Sequence, residues 1–282
     1  MIRLVGILIG LGFTLVALIS FGVGAYTAAT EEVAPNPSYE FHLEAEAPAG
    51  GFSFDGPFGR WDIAQLQRGY QVYKEACAAC HSLEYVAFRN LADLGYSDAQ
   101  IKAEAETYTV PRYDEETAEV VREPGLPTDQ FPPVPYAGLG NPPDLSLMTK
   151  ARHDGTNYVY ALLTGYEDMS TFEKDGVVLS EAYPDFEIGN GLYFNPYFYG
   201  LGIAMPAPLR DGQVTYADGT EATVDQMSQD IAAFLTWTAE PTMVQRKQTG
   251  WWVLAFTLFA TILAWFAKKQ IWADIKPKRK DD

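Results

Sequence analysis

Residues 62–81 read DIAQLQRGYQVYKEACAACH, and this stretch decides the fold. Ile63, Leu66, Tyr70 and Tyr73 recur at helical spacing on one face, and Asp62 can cap the first turn, so the pattern predicts a helix that leads directly into Cys77. Cys77, Cys80 and His81 then form C-x-x-C-H, the pattern of c-type haem attachment. The spacing has a physical reason. Two thiols three positions apart on a tight turn can add to the two vinyl groups of one porphyrin, and the adjacent imidazole is carried under the iron. A redox C-x-x-C needs no His in the next position, and a zinc site would need more ligands than a chain with 2 cysteines offers. The same count excludes a structural disulfide framework.

An iron held from one side by His81 has its other face open unless the chain supplies a sixth ligand. His42 and His153 are the only other histidines. Among 6 methionines Met205 stands out, because Ile203-Ala204-Met205-Pro206-Ala207-Pro208 places a thioether on an apolar loop stiffened by prolines, which fix φ and remove backbone donors. The commoner fate of a methionine is to fill a gap in the core, and the residues alone leave both readings open. His81/Met205 ligation would raise the reduction potential and close the iron, which suits electron transfer; an open sixth position would suit a haem-based sensor.

The ends of the chain are apolar. Leu4 to Val23 is an almost unbroken hydrophobic run behind Arg3 and ends in small residues, so residues 1–29 read as an export signal or an N-terminal membrane segment. Residues 250–268, including Trp251 to Ala267, read as a transmembrane anchor, with Trp251, Trp252, Trp265 and Trp272 where interfacial aromatics belong. The basic cluster from Lys268 to Lys280 makes residues 269–282 a cytoplasmic tail by the positive-inside rule, although Arg246 and Lys247 dilute the asymmetry. Residues 30–249 are then a periplasmic haem domain on the outer face of the inner membrane.

The chain of 282 residues carries 20 Lys+Arg against 37 Asp+Glu, a formal charge of -17, and because its C-terminal stretch is basic the rest is more acidic still. Such a surface disfavours nucleic acid and favours basic protein partners, with solubility as the plainer explanation. Residues 31–60, rich in Glu, Pro and Gly, read as an extended surface strap, and Glu167 to Asn190 as a surface excursion. Asp144 offers a cap for a helix through Leu147 and Lys150, and Asn157 to Leu163 reads as a helix stopped at Gly165. Thr223 and Gln226 form a capping box before the last soluble helix, which Pro241 ends, while Gly95 to Leu139 holds a short helix at Ser97 to Glu106 and is otherwise unassigned. The expected fold is mainly α: a single-haem, cytochrome c-type domain with long irregular insertions and a C-terminal transmembrane helix.

Four segments resemble a known family in its own order: RGYQVYKEACAACHSLEYVAFRNL (68–91), NPPDLSLMTKARHDGTNYVYALLTGY (141–166), GLYFNPYFYGLGIAMPAPL (191–209) and DIAAFLTWTAEPTMVQRKQTG (230–250). They are similar to cytochrome c1 of alphaproteobacteria and mitochondria. The resemblance implies one haem c with thioethers at Cys77 and Cys80 and axial ligands His81 and Met205. It also implies that Arg152 and Tyr158 attend a propionate, and that the Pro143 carbonyl accepts the Nδ1 proton of His81. The implied role is an electron-transfer subunit of quinol:cytochrome c oxidoreductase, not an enzyme by itself. Its partners would be cytochrome b, a Rieske iron–sulfur subunit and a basic cytochrome c; a stand-alone membrane-tethered shuttle is the rival. The excursion at Glu167 to Asn190 is longer than the mitochondrial counterpart, and no cysteine remains to hold it by a disulfide.

Overall fold

The computed structural model of the protein describes residues 2–30, 36–114, 116–138 and 140–275. It divides into two units, residues 1–40 and 41–282, each taken by itself. The first holds α1 (Ile2–Thr30), an apolar helix of 29 residues, and the single turn α2 (Pro37–Glu40). By length and composition α1 can cross a membrane.

The second unit is built on a helix crossing. α3 (Ile63–Val72) starts where the Asp62 carboxylate accepts the Gln65 N–H, as its sequence predicts. It packs on α8 (Val224–Ala239), the longest soluble helix. Gly69 sits at the crossing: a Cβ there would lie 2.1 Å from the Asp230 carbonyl oxygen and 2.6 Å from the Phe234 Cβ, so only glycine lets the two backbones approach this closely. Leu66 and Tyr70 from α3, with Tyr73 just beyond its end, meet Ile231, Phe234 and Trp237 from α8 in the main core, which Phe88, Leu91 and Phe131 extend. Beside the crossing, Asp230 is 0% exposed and takes two bonds from Arg68, Nε to Oδ2 at 2.9 Å and an NH2 bond to Oδ1 at 3.1 Å. α6 (Gly155–Thr164) also packs on α8 and ends at Gly165.

Thr223 caps α8 by accepting the Gln226 N–H, but the Gln226 side chain does not return the bond that would complete the expected capping box. The Gln226 side chain instead reaches forward to Asp230 Oδ1 at 2.9 Å, where a buried carboxylate needs donors more than an exposed cap does. A 3-10 turn at Phe88–Leu94 leads to α4 (Asp98–Glu106), which stands where the short helix was expected and has a full Ser97/Gln100 capping box; the stretch left unassigned after it holds a hairpin. In that hairpin β1 (Thr109–Asp114) pairs antiparallel with β2 (Glu119–Pro124), Thr109 opposite Pro124. Its mostly exposed, Pro-containing strands leave no apolar alternation to read.

After the short α5 (Met148–Ala151), the Glu167–Asn190 excursion is anchored without a disulfide. β3 (Glu173–Lys174) and β4 (Val177–Val178) join through Asp175 and Gly176, both at positive φ, as a two-residue hairpin turn requires. With α7 (Leu179–Ala182) they carry Phe172 and Leu179 into a second apolar cluster with Phe41, Phe194 and Leu201. The strap takes part: Leu43 N–H donates to the Pro196 carbonyl at 2.9 Å, and Lys174 Nζ to the His42 carbonyl at 2.8 Å. Part of the expected strap, residues 31–35, lies outside the described residues.

β5 (Tyr193–Phe194) and β6 (Gly202–Ile203) form a small antiparallel pair that leads into the Met205 loop. α9 (Met243–Ala273) then contains the expected anchor and extends beyond it at both ends. Its 31 residues are long and apolar enough to cross a membrane. Of the basic tail, residues 276–282 lie outside the described residues.

Candidate functional site

The C-x-x-C-H turn is made by a change of helix type. At Tyr73–Cys77 α3 widens to a π-turn, closed by the Ala78 N–H on the Tyr73 carbonyl at 2.8 Å. The extra residue turns the chain out of the helix, and the Cys77 carbonyl then accepts both the Cys80 N–H (3.0 Å) and the His81 N–H (2.9 Å). Tyr73 is buried beneath and donates its hydroxyl to the His81 carbonyl at 3.0 Å. Cys77, Cys80 and His81 are half-buried, accessible from one side and backed by core on the other.

His81 Nδ1 lies 2.8 Å from the Pro143 carbonyl oxygen. A carbonyl only accepts, so the Nδ1 nitrogen carries the proton, and Nε2 keeps its lone pair for a metal. Asp144 secures this arrangement and does not cap a helix as its position suggested. One of its oxygens accepts the Glu84 N–H at 2.7 Å and the Ser82 hydroxyl at 3.0 Å, and the other the Ser146 N–H at 2.8 Å. The Leu145 N–H on the Ser82 carbonyl at 2.9 Å completes the seam. The loop after His81 has more unsatisfied donors than the short α5, whose first turn begins later, at Leu147.

The thiols do not resemble a redox pair. Burial, with a smaller contribution from the neighbouring Cys80, pushes the Cys77 thiol up to about 12. Both cysteines sit at the C-terminal end of a helix, where the dipole disfavours a thiolate, whereas dithiol redox motifs lower the thiol pKa. Two protonated thiols on one turn, an imidazole with a free Nε2 and an apolar backing fit a covalently attached haem.

The loop that carries Pro143 also touches the loop that carries Met205. Gly140, at φ +85°, lies against the Met205 loop so closely that a Cβ there would be 3.2 Å from the Ala204 Cβ. The Tyr166 hydroxyl donates to the Met205 carbonyl at 3.0 Å. Burial raises the Tyr166 phenol, with nearby Tyr158 adding to it. Burial also raises Tyr158, while the guanidinium of Arg152 at its side works the other way. The structure thus places His81 against Pro143, Tyr158 against Arg152, and Tyr166 between Tyr158 and Met205. Arg152 is exposed. His153, a conceivable alternative ligand, is 97% exposed and pairs with Asp154 at 3.0 Å. Tyr73, Asp144 and Tyr166 were not assigned to the site from sequence, where Tyr73 stood only on a helix face and Asp144 only as a helix cap. All three lie within the segments that carry the family resemblance, 68–91 and 141–166.

Fold and site together define a membrane-anchored haem-attachment domain of the c type. The sequence pattern of the Cytochrome C1 family matches residues 52–275. Cytochrome c1 of Rhodospirillum rubrum is 41% identical over 251 residues, covering 82% of this chain and 92% of that protein. The mitochondrial haem protein cytochrome c1-2 of Solanum tuberosum is 40% identical, covering 83% and 88% respectively. A protein named cytochrome b/c1 from Bradyrhizobium diazoefficiens is 44% identical over 80% of this chain, which spans only 36% of that longer relative. The chain belongs to the cytochrome C1 family.

Proposed function

We propose that the chain works as the haem-carrying electron-transfer subunit of a quinol:cytochrome c oxidoreductase. It receives electrons from an iron–sulfur subunit beside cytochrome b and passes them to a basic cytochrome c. In this assignment Cys77 and Cys80 form the thioethers, His81 and Met205 are the axial ligands, and Arg152 and Tyr158 hold a propionate. The haem domain faces the periplasm, with α9 as anchor and the basic tail in the cytoplasm. The single observation that carries the assignment is the His81 Nδ1–Pro143 carbonyl contact of 2.8 Å at the end of the C-x-x-C-H turn, because it prepares Nε2 for iron and has no use in a dithiol site. A relative named for both cytochrome b and c1 supports the choice of partner.

The haem, when bound, supplies reversible one-electron chemistry. The chain's own residues supply the rest. Pro143 fixes the tautomer of His81, and Asp144 holds the two segments of that contact in register. Tyr166 fixes the Met205 backbone, so that the thioether needs little reorganisation between oxidation states. Purification of the haem-loaded protein in mild detergent tests the proposal. Co-elution of cytochrome b and iron–sulfur subunits, with a sulfur-to-iron charge-transfer band in the ferric spectrum, is expected. Isolation alone would favour the tethered shuttle, and a missing band would favour an open sixth position.

A further inference from the structure

The segment before α3 makes an unusual loop against the start of α9. It is closed at its base by the Arg60 N–H on the Ser53 carbonyl at 2.9 Å. Inside, the Asp55 N–H donates to the Phe52 carbonyl at 2.9 Å, and the Asp55 carboxylate accepts the Phe52 N–H at 2.8 Å. Gly59 passes so near that a Cβ would lie 2.2 Å from the Phe54 carbonyl carbon, which fixes the bend. Two residues one turn apart on α9 grip the loop from outside. Lys247 Nζ donates to the carbonyls of Phe54 (2.9 Å) and Gly56 (3.0 Å), and Trp251 Nε1 donates to the Pro57 carbonyl at 3.3 Å.

At the tip of this rigid loop Phe58 is 76% exposed, and its ring stacks on Trp251 with centroids 5.3 Å apart. Phe58 differs from a scattered surface side chain in that it stacks on a second exposed aromatic and sits on a backbone fixed by several bonds. The position of Trp251 identifies the surroundings. From Trp251 to Trp272 the helix rises roughly 32 Å, close to the thickness of a hydrocarbon core of ~30 Å, so the two indoles mark opposite interfaces. Phe58, stacked on the first indole, lies at the same depth.

We infer that the 53–60 loop is a foot of the soluble domain that inserts Phe58 into the interfacial layer of the bilayer. Its partner is lipid, in the zone where acyl chains meet headgroups. Clamped to α9 by Lys247 and Trp251, the foot gives the domain a contact with the membrane beside α9, and two contacts on this side restrict its tilt. Phe58 and Trp251 then act as one aromatic wedge, while Lys247 spends its charge on loop carbonyls and not on phosphate. The inference rests on α9 spanning a membrane, and the experiment separates the two.

The test uses the full haem-loaded chain, in its native assembly, reconstituted in phosphatidylcholine nanodiscs. A photoreactive p-benzoylphenylalanine, close to phenylalanine in shape, replaces Phe58. The same group at Leu258 inside the span and at Tyr113 on the exposed hairpin gives the two references. Lipid adducts at position 58 on the scale of those at 258, with none above background at 113, are expected. Adducts at 258 but none at 58, or adducts at 58 to a polypeptide, overturn the foot and leave the anchor standing. No lipid adduct at 258 overturns the anchor and the foot with it. Should the benzophenone disturb the loop, a nitroxide on Phe58→Cys answers the same question, since thioether formation leaves Cys77 and Cys80 unlabelled. Collisions with oxygen should exceed those with a water-soluble nickel chelate; the reverse order refutes the inference.

Discussion

Removing the guanidinium of Arg68 while keeping its stem, as in Arg68→Met, exposes how much the α3/α8 crossing depends on one buried ion pair. Arg68 is 16% exposed and contacts both oxygens of Asp230, which is 0% exposed; it also reaches Asp218, which is 42% exposed. The Asp218 contact, half in water, contributes below about 1 kcal/mol. The Asp230 contacts matter more, because the variant leaves a buried carboxylate without its counter-ion and with only neutral groups beside it, Gln226 at 2.9 Å and the neighbouring Tyr216 phenol, a change that costs about 3–5 kcal/mol. For a domain of this size that corresponds to a fall of roughly 6–20 °C in the unfolding temperature. The assay is thermal unfolding of the purified protein in detergent, followed by near-UV circular dichroism at several pH values.

The pH dependence tells charge from packing. Burial already lifts the Asp230 carboxyl above the usual carboxylate range, outweighing the opposite pull of Arg68. Burial disfavours the Arg68 cation, but its two aspartates outweigh that and hold it protonated. Without Arg68 the Asp230 pKa rises further above its unfolded value of about 3.9. The folded variant then binds the proton more tightly than the unfolded chain, so its deficit shrinks as pH falls through the folded pKa and is smallest below the unfolded one. A deficit below about 1 kcal/mol, or one that does not change with pH, would refute the view that the ionised pair locks the crossing.

The other predictions concern neighbouring links. Gly69→Ala should push α3 off α8, since its Cβ would meet the Asp230 carbonyl at 2.1 Å, and lower stability by about 1–3 kcal/mol or more in the same thermal assay. Met205→Leu should retain haem, admit carbon monoxide and lower the midpoint potential by roughly tens to hundreds of millivolts in a redox titration; an unchanged potential with no carbon monoxide binding would place another residue at the sixth position. The rate of electron transfer to a basic cytochrome c should fall steeply in stopped-flow measurements between ~0.01 M and ~0.15 M salt, as the Debye length shrinks from ~30 Å to ~8 Å. A flat salt profile would leave the charge of -17 to solubility alone.

Local signals in the sequence carry far in this protein. The C-x-x-C-H motif, the caps at Asp62 and Thr223, the short helix near Ser97 to Glu106, the stop at Gly165 and the two apolar end segments all depend on residues within a few positions of one another. Local hydrogen bonds and hydrophobic periodicity encode such features directly, and the helices stand where they were expected. Tertiary structure decided the features in which a residue's partner is distant in the chain. Asp144 has the form of a helix cap, yet it bonds Ser82 and Glu84 some 60 positions away, because a loop with free donors arrives beside it. Gly69 appears as a flaw in a helix until Asp230 and Phe234 come within reach of its missing Cβ. The excursion at Glu167 to Asn190 has no cysteine to hold it, and only the meeting of Phe41, Phe172, Leu179, Phe194 and Leu201 shows the apolar cluster that does. Composition and spacing fix what a segment can form by itself; which carboxylate finds which donor, and which ring finds which core, depends on contacts that exist only once the chain has closed.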